Sequence, residues 1–134
     1  MITLILNEHE EELTMPNELC HFEIPAKDPA KLTEFYENIF DWNIGRPHEG
    51  DEMEYHWVDI KPVGGGVHKK TMPEMVPINY ISVDNIDDHV KIIQEAGGMI
   101  VKEKTPVPGM GWFAVALDPE QNPFGIWVQD ENAK

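Results

Sequence analysis

The stretch His21-Phe-Glu-Ile-Pro-Ala-Lys-Asp-Pro-Ala-Lys-Leu-Thr-Glu-Phe-Tyr-Glu-Asn-Ile-Phe-Asp-Trp42 contains one change of hydrophobic period, and that change decides the fold. Up to Pro25, apolar and polar residues alternate, with Phe22 and Ile24 on one side and His21 and Glu23 on the other, as in a half-buried strand. From Asp28 the period lengthens. Asp28 is a natural N-cap, because its carboxylate can accept from the first free amides, and Pro29 suits the first helical position, where no amide hydrogen is needed. Leu32, Phe35, Tyr36, Ile39 and Phe40 then recur at helical spacing and form an apolar stripe expected to pack on a sheet.

Outward from this strand and helix, short strands are expected over residues 42–45, 53–60 and 63–68, with residues 47–50 and Pro62 as turns. A second round follows. Residues 78–83 read as a strand, Asn85 as an N-cap, and residues 86–96 as a helix turning Ile86, Val90 and Ile93 inward before the stop at Gly97-Gly98. Strands over 99–102, 112–117 and 124–128 complete it. Sliding the chain by about 57 residues sets His21 on Ile78, Asp28 on Asn85, Ile44 on Val101, Tyr55 on Trp112, Val58 on Val115, Ile60 on Leu117 and His68 on Gly125, the mark of an internal repeat.

The expected fold is therefore α+β: two βαβββ modules, at about 19–70 and 77–130, forming one curved mixed sheet around a cleft with the helices outside. Residues 1–16 are expected to be a flexible acidic extension, 17–130 a single domain and 131–134 a tail. The 134 residues suffice for one sizeable core.

Charge narrows the partners. Ten Lys and Arg against 25 Asp and Glu give a net charge of -15, a field that repels nucleic acid and anionic membranes, so neither is expected as a partner. No apolar run approaches the roughly 18 residues needed to span a bilayer. The single cysteine, Cys20, cannot form an internal disulfide, and the apolar start at Met1–Leu6 lacks a basic flank, so a reducing cytoplasm is the expected location.

Period two sorts the strand residues. Phe22, Ile24, Val58, Ile60, Ile81, Val83, Val115, Leu117, Ile126 and Val128 are expected toward the helices. His21, Glu23, Tyr55, Trp57, Asp59, His68, Tyr80, Ser82, Trp112, Trp127 and Gln129 are expected toward the cleft. Aromatic rings with a few polar groups are what recognition of a small, partly apolar molecule requires, which makes Tyr55, Trp57, Tyr80, Trp112 and Trp127 candidate substrate-binding residues. A single Trp or Tyr on a sheet is more often a core or dimer-interface residue than a ligand contact, and it is the shared face of these five that points to binding. His56 falls on the helix side, Cys20 points away from His21, and Gly64-Gly-Gly66 lacks the helix and Lys-Ser/Thr of a phosphate loop, so a close backbone approach, a bulge or access to the cleft explains it better. Residues 105–111 read as a Pro/Gly loop in which Met110 is a candidate lid residue or a plain connection.

The stretch at 21–42, with Ile81-Ser-Val-Asp-Asn-Ile-Asp, Ala96-Gly-Gly and Leu117-Asp-Pro-Glu-Gln-Asn-Pro-Phe-Gly-Ile-Trp127, resembles the vicinal-oxygen-chelate superfamily of glyoxalases, bleomycin-resistance proteins and extradiol dioxygenases. The likeness covers about residues 19–130. It implies four metal positions, at His21, His68, Ile78 and Gly125, of which only His21 and His68 can donate to an ion. It also implies a homodimer. The resemblance leaves two readings of different kinds. In the first the protein binds a small, partly aromatic ligand in the cleft without a cofactor. In the second a divalent metal (Zn, Ni, Fe or Mn) on His21 and His68 serves a lyase, isomerase or dioxygenase acting on vicinal oxygens, with Glu23 as catalytic base. The loss of donors at Ile78 and Gly125 favours the first. A vestigial, accessory role is a third alternative. No basic cluster is evident that would hold the anionic tripeptide glutathione.

Overall fold

Residues 16–46 and 53–134 are described by the computed structural model of the chain. The expected turn at 47–50, His48, and the acidic extension up to residue 15 with His9 lie outside the described residues. Two compact units are distinguishable, one over residues 21–79 and one over residues 80–134 together with 16–20.

The first module runs β1 (Leu19–Ala26), α1 (Pro29–Ile39), β2 (Asn43–Ile44), β3 (Tyr55–Asp59) and β4 (Gly64–Lys69). The second runs β5 (Ile78–Ser82), α2 (Ile86–Glu95), β6 (Met99–Val107), β7 (Gly111–Leu117) and β8 (Pro123–Gln129). Both are βαβββ units, as the repeat predicts, and the class is α+β. Strand order is β2-β3-β4-β1 in one and β5-β8-β7-β6 in the other. In each, the first and last strands pair in parallel and the remaining neighbours are antiparallel.

The helices begin where the caps place them. Asp28 Oδ1 accepts from the Lys31 amide at 3.2 Å with Pro29 opening α1, and Asn85 Oδ1 accepts from the Asp88 amide at 2.9 Å. Asp87 and Asp88 in the first turn of α2 complement the positive end of its dipole. Gly97, at φ +100°, ends α2 in the left-handed region that a residue with a β-carbon enters at a cost. Among the described residues no helix is long and apolar enough to cross a membrane.

Each module has its own core. Ala26, Val58 and Val67 are buried with Phe22, Ile24, Leu32, Trp42, Ile44 and Ile60 packed on them. Val83, Ile86, Ala114 and Ile126 are buried with Val90, Ile93, Trp112, Phe124 and Val128 around them. The stripe of α1 departs from expectation. Leu32 joins the core and Tyr36 stacks on Trp42 at 5.2 Å, but Phe35, Ile39 and Phe40 stay about half exposed. Pro29 and Thr33 are the buried residues of this helix, and Thr33 tolerates it because its hydroxyl donates to the Ala30 carbonyl at 2.8 Å.

β6 is longer than predicted and takes in Thr105, Pro106 and Val107, so the expected loop shrinks to a tight turn around Gly109 (φ +75°) in which Met110 N–H donates to the Val107 carbonyl. β7 reverses the predicted facing. Trp112 and Ala114 pack with the helix-side residues, which puts Phe113 and Val115 on the opposite face. The alternation misled because both faces of Gly111–Leu117 are apolar, and the small Ala114 and Ala116, both almost fully buried, leave room for close packing.

Candidate functional site

On β1, β3 and β4 the face turned away from the core carries His21, Glu23, Tyr55, Trp57, Asp59 and His68, as the alternation predicts. Register aligns them: Tyr55 lies opposite His68, Trp57 opposite Gly66, and Glu23 opposite Gly66 from the other side. The Tyr55 ring leans across β4 over Gly66, filling the space that a β-carbon there would take. Its hydroxyl thereby reaches β1. This is the structural need behind Gly64-Gly-Gly66, together with Gly65, which makes the same allowance for the Phe22 ring on the core side.

Tyr55 Oη donates to Glu23 Oε2 at 2.9 Å and lies 2.7 Å from His21 Nε2. A phenol has one hydrogen, and here it goes to the carboxylate, so His21 Nε2–H must be the donor to the phenol oxygen. The neutral imidazole is then the Nε2–H tautomer. Burial pushes His21 below the ordinary histidine value and the Glu23 charge only partly restores it. Two further rings complete the group. Trp57 sits 4.8 Å from Tyr55 and 5.8 Å from His21, and its own surface is 42% exposed. His68 is buried, nearly coplanar in orientation with Tyr55 at 6.2 Å, with Nδ1 3.0 Å from the Lys69 carbonyl. His56, on the core side, is held by Glu54 at 2.8 Å.

The second module carries Tyr80, Ser82 and Trp127 on its corresponding face, joined by Phe113, which meets Tyr80 edge-on at 6.2 Å. Trp112 is not among them. Its indole donates to Asp130 Oδ2 at 3.0 Å, and Lys104 lies over its ring at 4.7 Å. Phe113 was missed for the same reason that Trp112 was misplaced, since both faces of β7 are apolar, and the repeat offset is not constant either. Glu23 pairs with Gly66 and Tyr80 with Gly125, so Gly125 corresponds to Gly66, and Val115, opposite Gly125, corresponds to Trp57. Phe113 therefore stands for Tyr55. By the same count Trp127, not Gly125, stands for His68.

The register of the repeat leaves the implied metal positions, which rest on the resemblance, as they stand, at His21, His68, Ile78 and Gly125. Neither Ile78 nor Gly125 has a side-chain donor, and His21 Nε2 is engaged with Tyr55. Among the described residues no group of three or more His, Cys, Asp or Glu is arranged to hold an ion. The donors present do not fit a metal of the family's kind.

Cys20 is partly buried, its thiol donating toward the Tyr80 carbonyl at 3.6 Å, and burial pushes it up to about 11. It is no nucleophile at neutral pH. Asp118 is a turn anchor: it accepts from the amides of Glu120 and Asn122, and the Asn122 bonds hold its carboxyl below the usual range. A feature absent from the sequence reading is a concavity of about 480 Å3 lined by Lys27, Lys31 and Lys70 with Leu32 and Phe35. The parallel pairing of Ala26 with Lys69 brings these distant lysines together, so they form a basic cluster that linear inspection did not find.

A family model described as the Glyoxalase/Bleomycin resistance protein/Dioxygenase superfamily matches residues 18–129. The anthracycline biosynthesis protein DnrV of Streptomyces peucetius is 25% identical over 130 residues, covering 84% of this chain. The chain spans about half of that relative, 47% of its length. Among solved structures, a hypothetical protein from Bacillus halodurans superposes with a TM-score of 0.66 at 15% identity, covering 88% of this chain and 98% of that one. Methylmalonyl-CoA epimerase from Mycobacterium tuberculosis gives 0.66 at 10% identity, over 91% and 96%. These likenesses show a shared fold.

Proposed function

Given that the chain belongs to the glyoxalase/bleomycin resistance protein/dioxygenase superfamily, we propose that it binds a small, partly aromatic molecule on the face of its first module. Tyr55 and Trp57 supply the stacking surface, and Glu23 and His21 the polar partners. The observation that carries this reading is the state of Trp57: a large ring, 42% exposed, held against Tyr55, whose hydroxyl is itself fixed by Glu23 and His21. A rigid, exposed aromatic surface beside hydrogen-bonding groups is a binding surface already organised before the ligand arrives.

The second module's own face is proposed separately as a ligand surface, with Trp127 and the buried Tyr80 as contacts and Phe113 in the place expected for Trp112. Glu23 acts in this reading as a hydrogen-bond acceptor for ligand and Tyr55 alike, and binding requires no resident cofactor. The relative from Streptomyces peucetius bears a name tied to anthracycline biosynthesis, which favours polycyclic aromatic compounds as the first to try.

The test is a titration of intrinsic tryptophan fluorescence with a panel of soluble phenols, naphthols and anthraquinones, in wild type and Trp57→Ala. At least one compound is expected to quench saturably in wild type and to lose that saturation in the variant. Saturable binding that is identical in Trp57→Ala would refute the assignment.

A further inference from the structure

The bound molecule's charge follows from what surrounds Trp57. The strand positions that share this face carry two carboxylates, Glu23 and Asp59, and no Lys or Arg. Their facing is fixed by the ladder: Asp59 pairs with Asn43 beside the pair of Val58 and Ile44, and Val58 is buried on the core side. Of the basic residues around this module, Lys69 lies on β4 at the core-side position opposite Ala26, Arg46 and Lys61 follow the ends of β2 and β3, and Lys27, Lys31 and Lys70 fall beyond the ends of β1 and β4 or on α1. His21 adds no positive charge near neutrality, since burial keeps its imidazole neutral.

The rings are disposed to the same end. Tyr55 and Trp57 lie 4.8 Å apart with planes inclined at 59°, and His21 meets Trp57 edge-on at 60°. Inclined electron-rich faces attract a cation, Trp most strongly, and the attraction grows when the site is partly desolvated. Tyr55 directs its hydroxyl hydrogen at Glu23, which draws negative charge toward the ring rather than away from it. The net charge of -15 favours arrival of cations over anions from a distance.

We infer that the molecule bound on this face is an organic cation, a protonated or quaternary amine attached to an aromatic body. Its positive centre lies over Trp57 and Tyr55 with Glu23 as counter-charge. This deepens the binding reading and rests on it.

The experiment compares three probes of similar size and different charge: benzyltrimethylammonium, benzyl alcohol and benzoate. Each is titrated by tryptophan fluorescence against wild type, Trp57→Ala, Glu23→Gln and Glu95→Gln. Glutamine at 23 keeps an acceptor for Tyr55. Glu95, exposed on α2, controls for loss of one charge from the overall field. The expected result is that the ammonium binds about tenfold more tightly than the alcohol, with benzoate weakest. Glu23→Gln is expected to erase most of that preference, Trp57→Ala to abolish it, and Glu95→Gln to leave it intact. Equal affinity for ammonium and alcohol overturns the cation inference while leaving small-molecule binding in place. Equal effects of Glu23→Gln and Glu95→Gln overturn it too, because the preference then belongs to the whole charge. Absence of saturable binding by all three overturns both readings.

Discussion

The Tyr55 ring occupies the place of the missing β-carbon of Gly66. A tyrosine on β3 thereby reaches over β4 to bond with Glu23 and His21 on β1, so one glycine sets the geometry of the whole group. Gly66→Ala is expected to displace the ring and destabilise the fold by about 1–3 kcal/mol, the usual cost of overpacking. Tyr55→Phe, which loses only the hydroxyl, is expected to cost about 1 kcal/mol. In urea unfolding, Gly66→Ala combined with Tyr55→Ala is expected to be markedly less than additive. Strict additivity would separate the two residues.

His21 gives stability a pH dependence of known sign. Its folded-state value lies below the ordinary 6.5, chiefly through burial, so the unfolded chain binds the proton more readily. Stability then rises with pH through the window between the folded value and 6.5, and is lost as pH falls through it. His21→Gln is expected to flatten that part of the unfolding profile. An unchanged slope in the variant would assign the dependence to another group.

Cys20 offers a simple check of the packing near β5. With its thiol pushed up to about 11 by burial, it is expected to react with an aromatic disulfide reagent at pH 8 far more slowly than in urea. Equal rates folded and unfolded would show the thiol to be open and unshifted.

The reversed facing of β7 is testable at Ala114, which is 1% exposed within the core of the second module. Ala114→Leu is expected to destabilise by about 1–3 kcal/mol in urea unfolding. The facing read from the sequence alone would place residue 114 on the opposite side and predict a milder effect.

How far the sequence could be read follows from what each residue's signal depends on. Asp28 with Pro29, Asn85 and Gly97-Gly98 marked the helix ends because capping is local chemistry. Phe22 and Ile24 against His21 and Glu23 set the facing of β1, because its two sides differ in polarity. Trp112-Phe113-Ala114-Val115 could not be read in this way, since both sides are apolar and only the helix packed above distinguishes them. The half-exposed Phe35, Ile39 and Phe40 likewise show that a helical stripe can be wider than the part its sheet covers. The Tyr55–Glu23–His21 line was invisible, although its members were all named, because it depends on Gly66 lying between them in register.

The central claim, that the first-module face around Trp57 binds a small aromatic molecule, is tested most directly by following the indole N–H resonances during an NMR titration. With an aromatic ligand that quenches tryptophan fluorescence, Trp57 is expected to shift saturably together with backbone amides of Glu23 and Gly66, while Trp112, bonded to Asp130, stays still. A saturable shift at Trp112 with none at Trp57 would contradict the account.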